Sequence, residues 1–117
     1  MIAALALVAL MSADPAPIVG SYMCSGVDAK QAAYTIALSV QTREKGYWLK
    51  WVSSSGEVAQ GLGLLEGNVL SVAFTNGEAI GVAHYVVSQG TLDGHWWIGT
   101  ERLPEMCRRS DTRAARR

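Results

Sequence analysis

Apolar and polar residues alternate along this chain in short runs punctuated by glycine. Tyr34, Ile36, Leu38 and Val40 fall on one face of an extended segment and Thr35, Ala37, Ser39 and Gln41 on the other, the two-residue period of a half-buried strand. Tyr47, Leu49 and Trp51 alternate in the same way with Trp48, Lys50 and Val52. Leu70, Val72 and Phe74 alternate with Val69, Ser71 and Ala73, and Leu92, Trp96 and Ile98 with Asp93, His95 and Trp97. The first-named set of each pair is expected to face inward. The stretch from Ala79 to Val87 is apolar on both faces, so its phase is open. Further strands near Ile18 to Cys24, Val58 to Leu65 and Gly99 to Leu103 bring the total to about eight. Only Asp28 to Ala33 has helical character, with Asp28 as the N-cap of a single turn.

Glycine sets the connections. Gly46, Gly56, Gly67, Gly77, Gly90 and Gly99 recur at intervals of 9 to 13 residues, mostly among Ser, Thr, Asn, Gln, Glu and Lys, which is the spacing of turns. Eight short strands joined by tight hairpins predict an all-β fold, an antiparallel up-and-down meander that closes into a barrel and so removes its edges. Gly61, Gly63, Gly81 and Gly94 lie inside strands, where a small barrel needs sharp coiling and room for aromatics over the backbone. The alternative reads them as bulges in an open sandwich.

Composition divides the 117 residues into three parts. Residues 1–13 hold twelve apolar residues and no charge, too short a run to span a bilayer as a helix and the length of a signal-peptide core, although no basic residue precedes it. Residues 14–107 form the expected single barrel domain, with five basic and nine acidic residues, a net −4. Residues 108–117 carry five arginines against one aspartate, a net +4 that brings the formal charge to zero; this tail is expected to be disordered, with attraction to anionic surfaces as its functional reading. Half the residues are hydrophobic and 17% are charged, which excludes disorder of the body and a basic nucleic-acid-binding face. Cys24 and Cys107 bracket the body, and in an exported chain they are expected to form a disulfide. Cys24, His84, His95 and Cys107 have the residue types of a zinc site without its short paired spacings, so no metal is expected.

Catalytic chemistry has little to stand on. The chain holds no Gly-x-Ser-x-Gly turn, His-Glu-x-x-His run or phosphate-binding Gly-x-x-x-x-Gly-Lys run. His84 lies in strand phase with Ile80, Val82 and Val86, Asp93 and His95 share a strand face, and Glu101 lacks a second carboxylate at a telling spacing. The expectation is a monomeric, non-enzymatic binding protein with no cofactor.

The segments Gly20-Ser21-Tyr22 with Cys24, Tyr47-x-x-x-Trp51, Gly61-x-Gly63, Leu70-x-Val72, Gly81-Val82-Ala83-x-Tyr85, Gly90-x-Leu92-x-Gly94-x-Trp96 and Gly99-x-Glu101 resemble a group of short exported bacterial β-barrel proteins. Some of that group carry the label "fibronectin-binding protein". The resemblance covers roughly residues 20–103, and its label implies adhesion. The leader points to export to the periplasm or beyond, and the lack of catalytic groups together with outward-phase Trp48, Trp97 and His95 to a protein or polysaccharide partner in the envelope. Avidin-like and lipocalin-like barrels also use Gly-x-Trp strands. That likeness implies the alternative of a small-ligand barrel lined by Tyr47, Trp51, Tyr85 and Trp96. Tyr22-x-Cys24-x-Gly26 is similar to the opening of periplasmic lysozyme inhibitors, which implies a third reading, inhibition of lysozyme or a secreted protease. The Ser-Ala-Ser-Gly loop of those inhibitors is absent, and residues 53–57 read Ser-Ser-Ser-Gly-Glu.

Overall fold

The structure, a computed structural model, describes residues 17–56 and 58–110. The expected export signal and the tail beyond Ser110 lie outside the described residues. Eight strands follow one another: β1 Gly20–Val27, β2 Ala33–Arg43, β3 Gly46–Val52, β4 Val58–Glu66, β5 Val69–Asn76, β6 Ala79–Ser88, β7 Thr91–Ile98 and β8 Glu101–Arg109. Each pairs antiparallel with the next, and β8 pairs with β1, closing the barrel. The open sandwich is thereby excluded.

Interior phase follows the alternation. Leu38, Val40, Leu49, Trp51, Leu70, Val72, Phe74 and Leu92 are buried. In β6 the small or aromatic set faces inward, Gly81, Ala83, Tyr85 and Val87, while Ile80, Val82, His84 and Val86 face out. The reason lies on the two adjacent strands: a Cβ on Gly81 would meet Phe74 Cζ at 2.6 Å and Ile98 Cγ1 at 2.7 Å. The Phe74 ring and the Ile98 side chain fill that space, so the bulkier set turns outward.

Four of the hairpins have two-residue loops in which glycine takes positive φ: Gly67, Gly77, Gly90 and Gly99, at 60 to 78°. Between β2 and β3 the expectation shifts by two residues. Glu44 takes the left-handed conformation, φ 53°, whereas Gly46 opens β3, where a Cβ would stand 2.6 Å from the Gly63 carbonyl oxygen. Asp28 does not cap a helical turn. Its Oδ1 accepts from the backbone N–H groups of Lys30 and Ala32, both at 2.9 Å, and so shapes a five-residue loop between β1 and β2.

The terminal strand is longer than its apolar residues suggest, running past Leu103 to Arg109. It takes in the first two arginines of the basic tail, which pair with Met23 and Tyr22 of β1. At that end of the barrel the interior is plugged. Ile18 is 1% exposed, its carbonyl accepts from the Tyr22 hydroxyl at 2.9 Å, and the Arg109 guanidinium donates to the carbonyls of Val19 and Pro17 at 3.1 and 2.8 Å. Cys24 and Cys107 stand directly opposite each other across the β1–β8 seam, Cα atoms 3.9 Å apart, and form the expected disulfide. No helix among the described residues is long and apolar enough to cross a membrane.

Candidate functional site

The end opposite the plug is open. The β1–β2 and β3–β4 loops and the β5–β6 and β7–β8 turns surround a mouth that leads into a cavity of about 330 Å³. Its walls are Ile36, Trp51, Ala59, Phe74, Trp96 and Ile98, with Tyr34, Tyr85 and Glu105 as the polar floor and Asp28, Thr35, Ser53 and Asn76 towards the rim. Trp51 and Phe74 meet at a ring-centroid distance of 5.6 Å and an angle of 57°, forming one corner.

The floor is built from a single row of the barrel. Tyr34 on β2 pairs with Gly26 on β1, Gly26 with Glu105 on β8, Glu105 with Gly94 on β7, and Gly94 with Tyr85 on β6. The row therefore reads Tyr-Gly-Glu-Gly-Tyr across five strands. Each tyrosine stands two strands from the glutamate, about 10 Å at ordinary strand spacing, and reaches it over a residue with no side chain. A Cβ on Gly26 would lie 2.8 Å from the Tyr34 hydroxyl oxygen and 2.7 Å from the Pro104 carbonyl oxygen, and one on Gly94 would run into the His84 carbonyl.

Hydrogen bonds converge on the central carboxylate. Tyr34 donates to Glu105 Oε2 at 2.7 Å and Tyr85 to Oε1 at 2.6 Å. Trp96 Nε1 donates in turn to the Tyr34 oxygen at 2.9 Å. Glu105 is 6% exposed. Burial pushes its carboxyl above the ordinary range, with hydrogen bonds from Tyr85, Tyr34 and Trp51 acting in opposition. Burial and the nearby Glu105 charge push both tyrosine hydroxyls well above their usual range, so they remain protonated donors. Cys24, Cys107 and Glu105 bring ligand atoms within 4.8 Å of one another, but both sulfurs belong to the disulfide and offer no thiolate to a metal.

Of the four aromatics expected to line a ligand pocket, Trp51, Tyr85 and Trp96 line this cavity. Tyr47 does not: it is the second residue of β3, next to the β2–β3 turn at the plugged end. Tyr34 joins the site from the expected interior set, and Glu105 was missed. Its signal was parity: Cys107, committed to the interior by its disulfide, places the residue two positions earlier on the same face.

The outward-facing candidates gather elsewhere. Trp48, Leu62, Ala73, Val82, Trp97 and Arg102 form one cross-strand row on the outer face of β3 to β8. Leu62 is 57%, Val82 50% and Trp97 53% exposed. Together with the β2–β3 turn they line a shallow groove of about 1150 Å³. The Arg43 guanidinium lies 4.6 Å from the Trp48 ring centroid, and Trp97 Nε1 donates to the Gly99 carbonyl at 2.8 Å. His95 occupies the next row, its ring edge-on to His84 at 5.9 Å. Its Nδ1 is buried without a hydrogen-bond partner, so Asp93 does not orient it as a catalytic dyad would require. Both imidazoles stand on the outer face and the cysteines inside, so the four zinc-type residues do not meet.

No protein-family model matches the chain, and no curated protein matches it.

Proposed function

We propose that the protein is an exported, non-enzymatic barrel that binds a small ligand in the mouth cavity. The observation that carries this reading is the cavity itself: about 330 Å³ with apolar and aromatic walls and a few convergent polar groups at its floor. Large aromatics in an eight-stranded barrel can pack together and leave no room. Here Gly26 and Gly94 hold open the space through which two tyrosines reach one glutamate. The disulfide is compatible with an extracellular or periplasmic location and supports export.

The four tryptophans supply the test, because Trp51 and Trp96 line the cavity whereas Trp48 and Trp97 stand on the outer face. In a fragment screen read by two-dimensional NMR, bound fragments shift the Trp51 and Trp96 indole signals and leave that of Trp97 in place. Ala59→Phe, which fills the cavity from its wall, abolishes those shifts. Fragments that move only the Trp48 and Trp97 signals would overturn the cavity reading.

A second reading rests on the outer row. Trp48, Leu62, Val82 and Trp97 offer an aromatic and aliphatic strip of the kind that marks interaction sites, suited to a protein or polysaccharide of the envelope. It requires that Trp48→Ala together with Trp97→Ala abolish retention on isolated cell-wall polysaccharide or a purified envelope protein. Unaltered retention excludes it.

A further inference from the structure

We propose that the mouth cavity selects small organic cations, ammonium groups carried on an apolar body; this rests on the reading of the cavity as a ligand site. Two independent features of the lining support it.

The first is charge. Asp28 and Glu105 are the ionisable acids of the lining, and no Lys, Arg or His accompanies them. An anion entering would give up its hydration beside two acids with no cationic partner, which is strongly unfavourable. A cation finds opposite charge at the floor and the rim. On the way it passes Trp51, Phe74, Trp96 and Tyr34, whose rings attract positive charge over their faces.

The second is hydrogen-bonding capacity. The donors at the floor are already engaged: Tyr34 and Tyr85 donate to Glu105, and Trp96 donates to Tyr34. What remains is acceptor capacity. Each carboxylate oxygen accepts more than one hydrogen bond. A ligand reaching this floor meets acceptors, and an N–H-rich head group matches them where a carbonyl or carboxylate does not. The groups packed around Glu105 leave this picture intact: Tyr34 from β2, Trp51 from β3, Tyr85 from β6, Trp96 from β7 and the disulfide from β1 and β8 contribute no cation. The site is thus preset for a donor and a positive charge together.

Three probes of matched shape test this on the full chain at pH 7 by calorimetry: 2-phenylethylammonium, 2-phenylethanol and 3-phenylpropionate. The expected result is ammonium binding about tenfold or more tighter than the alcohol, with no binding of the carboxylate. Glu105→Gln brings ammonium and alcohol to within about threefold of each other. Asp28→Asn, which keeps the Oδ1 acceptor that shapes the β1–β2 loop, weakens the ammonium alone by a few-fold and serves where the Glu105 variant does not fold. Alcohol or carboxylate binding as tightly as the ammonium overturns the cation preference and leaves the cavity reading standing. Failure of all three to bind at millimolar concentration overturns both.

Discussion

Glu105 is the residue on which the barrel's character turns. A carboxylate so deeply placed is tolerated because two hydroxyls donate to it, and burial still raises its pKa above that of the unfolded chain. The native state therefore holds this proton more tightly than the unfolded state does. Its contribution to stability is fully present below the unfolded carboxyl pKa and is lost as the pH rises through the raised native value. Melting temperature should accordingly fall between mildly acidic and neutral pH, and the fall should flatten in Glu105→Gln; equal slopes in a pH series of melts would refute it. Gly26→Ala pushes Tyr34 off the carboxylate and leaves a buried acceptor short of its donor, a loss of about 1 to 3 kcal/mol in urea unfolding. A loss no greater than that of a surface alanine substitution would mean that the row tolerates a side chain there. Glu105 escaped the hydrophobic pattern because Pro104-Glu105-Met106 has neither apolar alternation nor a turn signal. Burial of a charge is decided by partners from β2 and β6, far away in sequence, and no local window contains them.

At the scale of strands and hairpins, much was legible. Five of the six turn glycines sit where positive φ requires them, and the alternating sets of β2, β3, β5 and β7 face as their period implies. What escaped were features set by pairing. The inward phase of β6 is decided by Phe74 and Ile98 against Gly81, and the reach of β8 to Arg109 by its ladder with β1. That ladder, five residue pairs long, is the shortest in the barrel, and the disulfide lies in the middle of it. Replacing both cysteines by serine releases a loop of 83 residues and should cost about 4 to 5 kcal/mol in the chain-entropy picture. Chemical unfolding under oxidising conditions measures this. Stability unchanged in the double variant would show that the ladder and the Ile18 plug close the seam unaided.

For the whole molecule, the barrel presents two unlike surfaces, an aromatic cavity with an acidic floor and an outer strip of Trp48, Leu62, Val82 and Trp97. Their independence is itself testable. Trp97→Ala on the exposed strip should leave stability within about 0.5 kcal/mol and ligand binding in the cavity unchanged, whereas Trp51→Ala removes a wall that is 5% exposed and should cost about 3 to 5 kcal/mol. Comparable losses from both, measured by thermal unfolding, would mean that the outer strip is part of the core. Neither surface was visible as a unit in the chain, since each is assembled from residues on four or more strands. Their aromatic members were visible, because strand phase alone sorts Trp51 and Trp96 from Trp48 and Trp97.

The plug of Ile18 and the grip of Arg109 on Pro17 and Val19 have a geometric consequence. The polypeptide enters the barrel at Pro17 and leaves it at Ser110 on the same side, across the full length of the strands from the mouth. A tether, tag or solid support joined at Pro17 or at Ser110 is thus attached at the foot of the molecule. Immobilised at either point, the protein keeps its opening turned towards solution, and a biosensor surface coupled at Pro17 should report the same affinities as one coupled at Ser110.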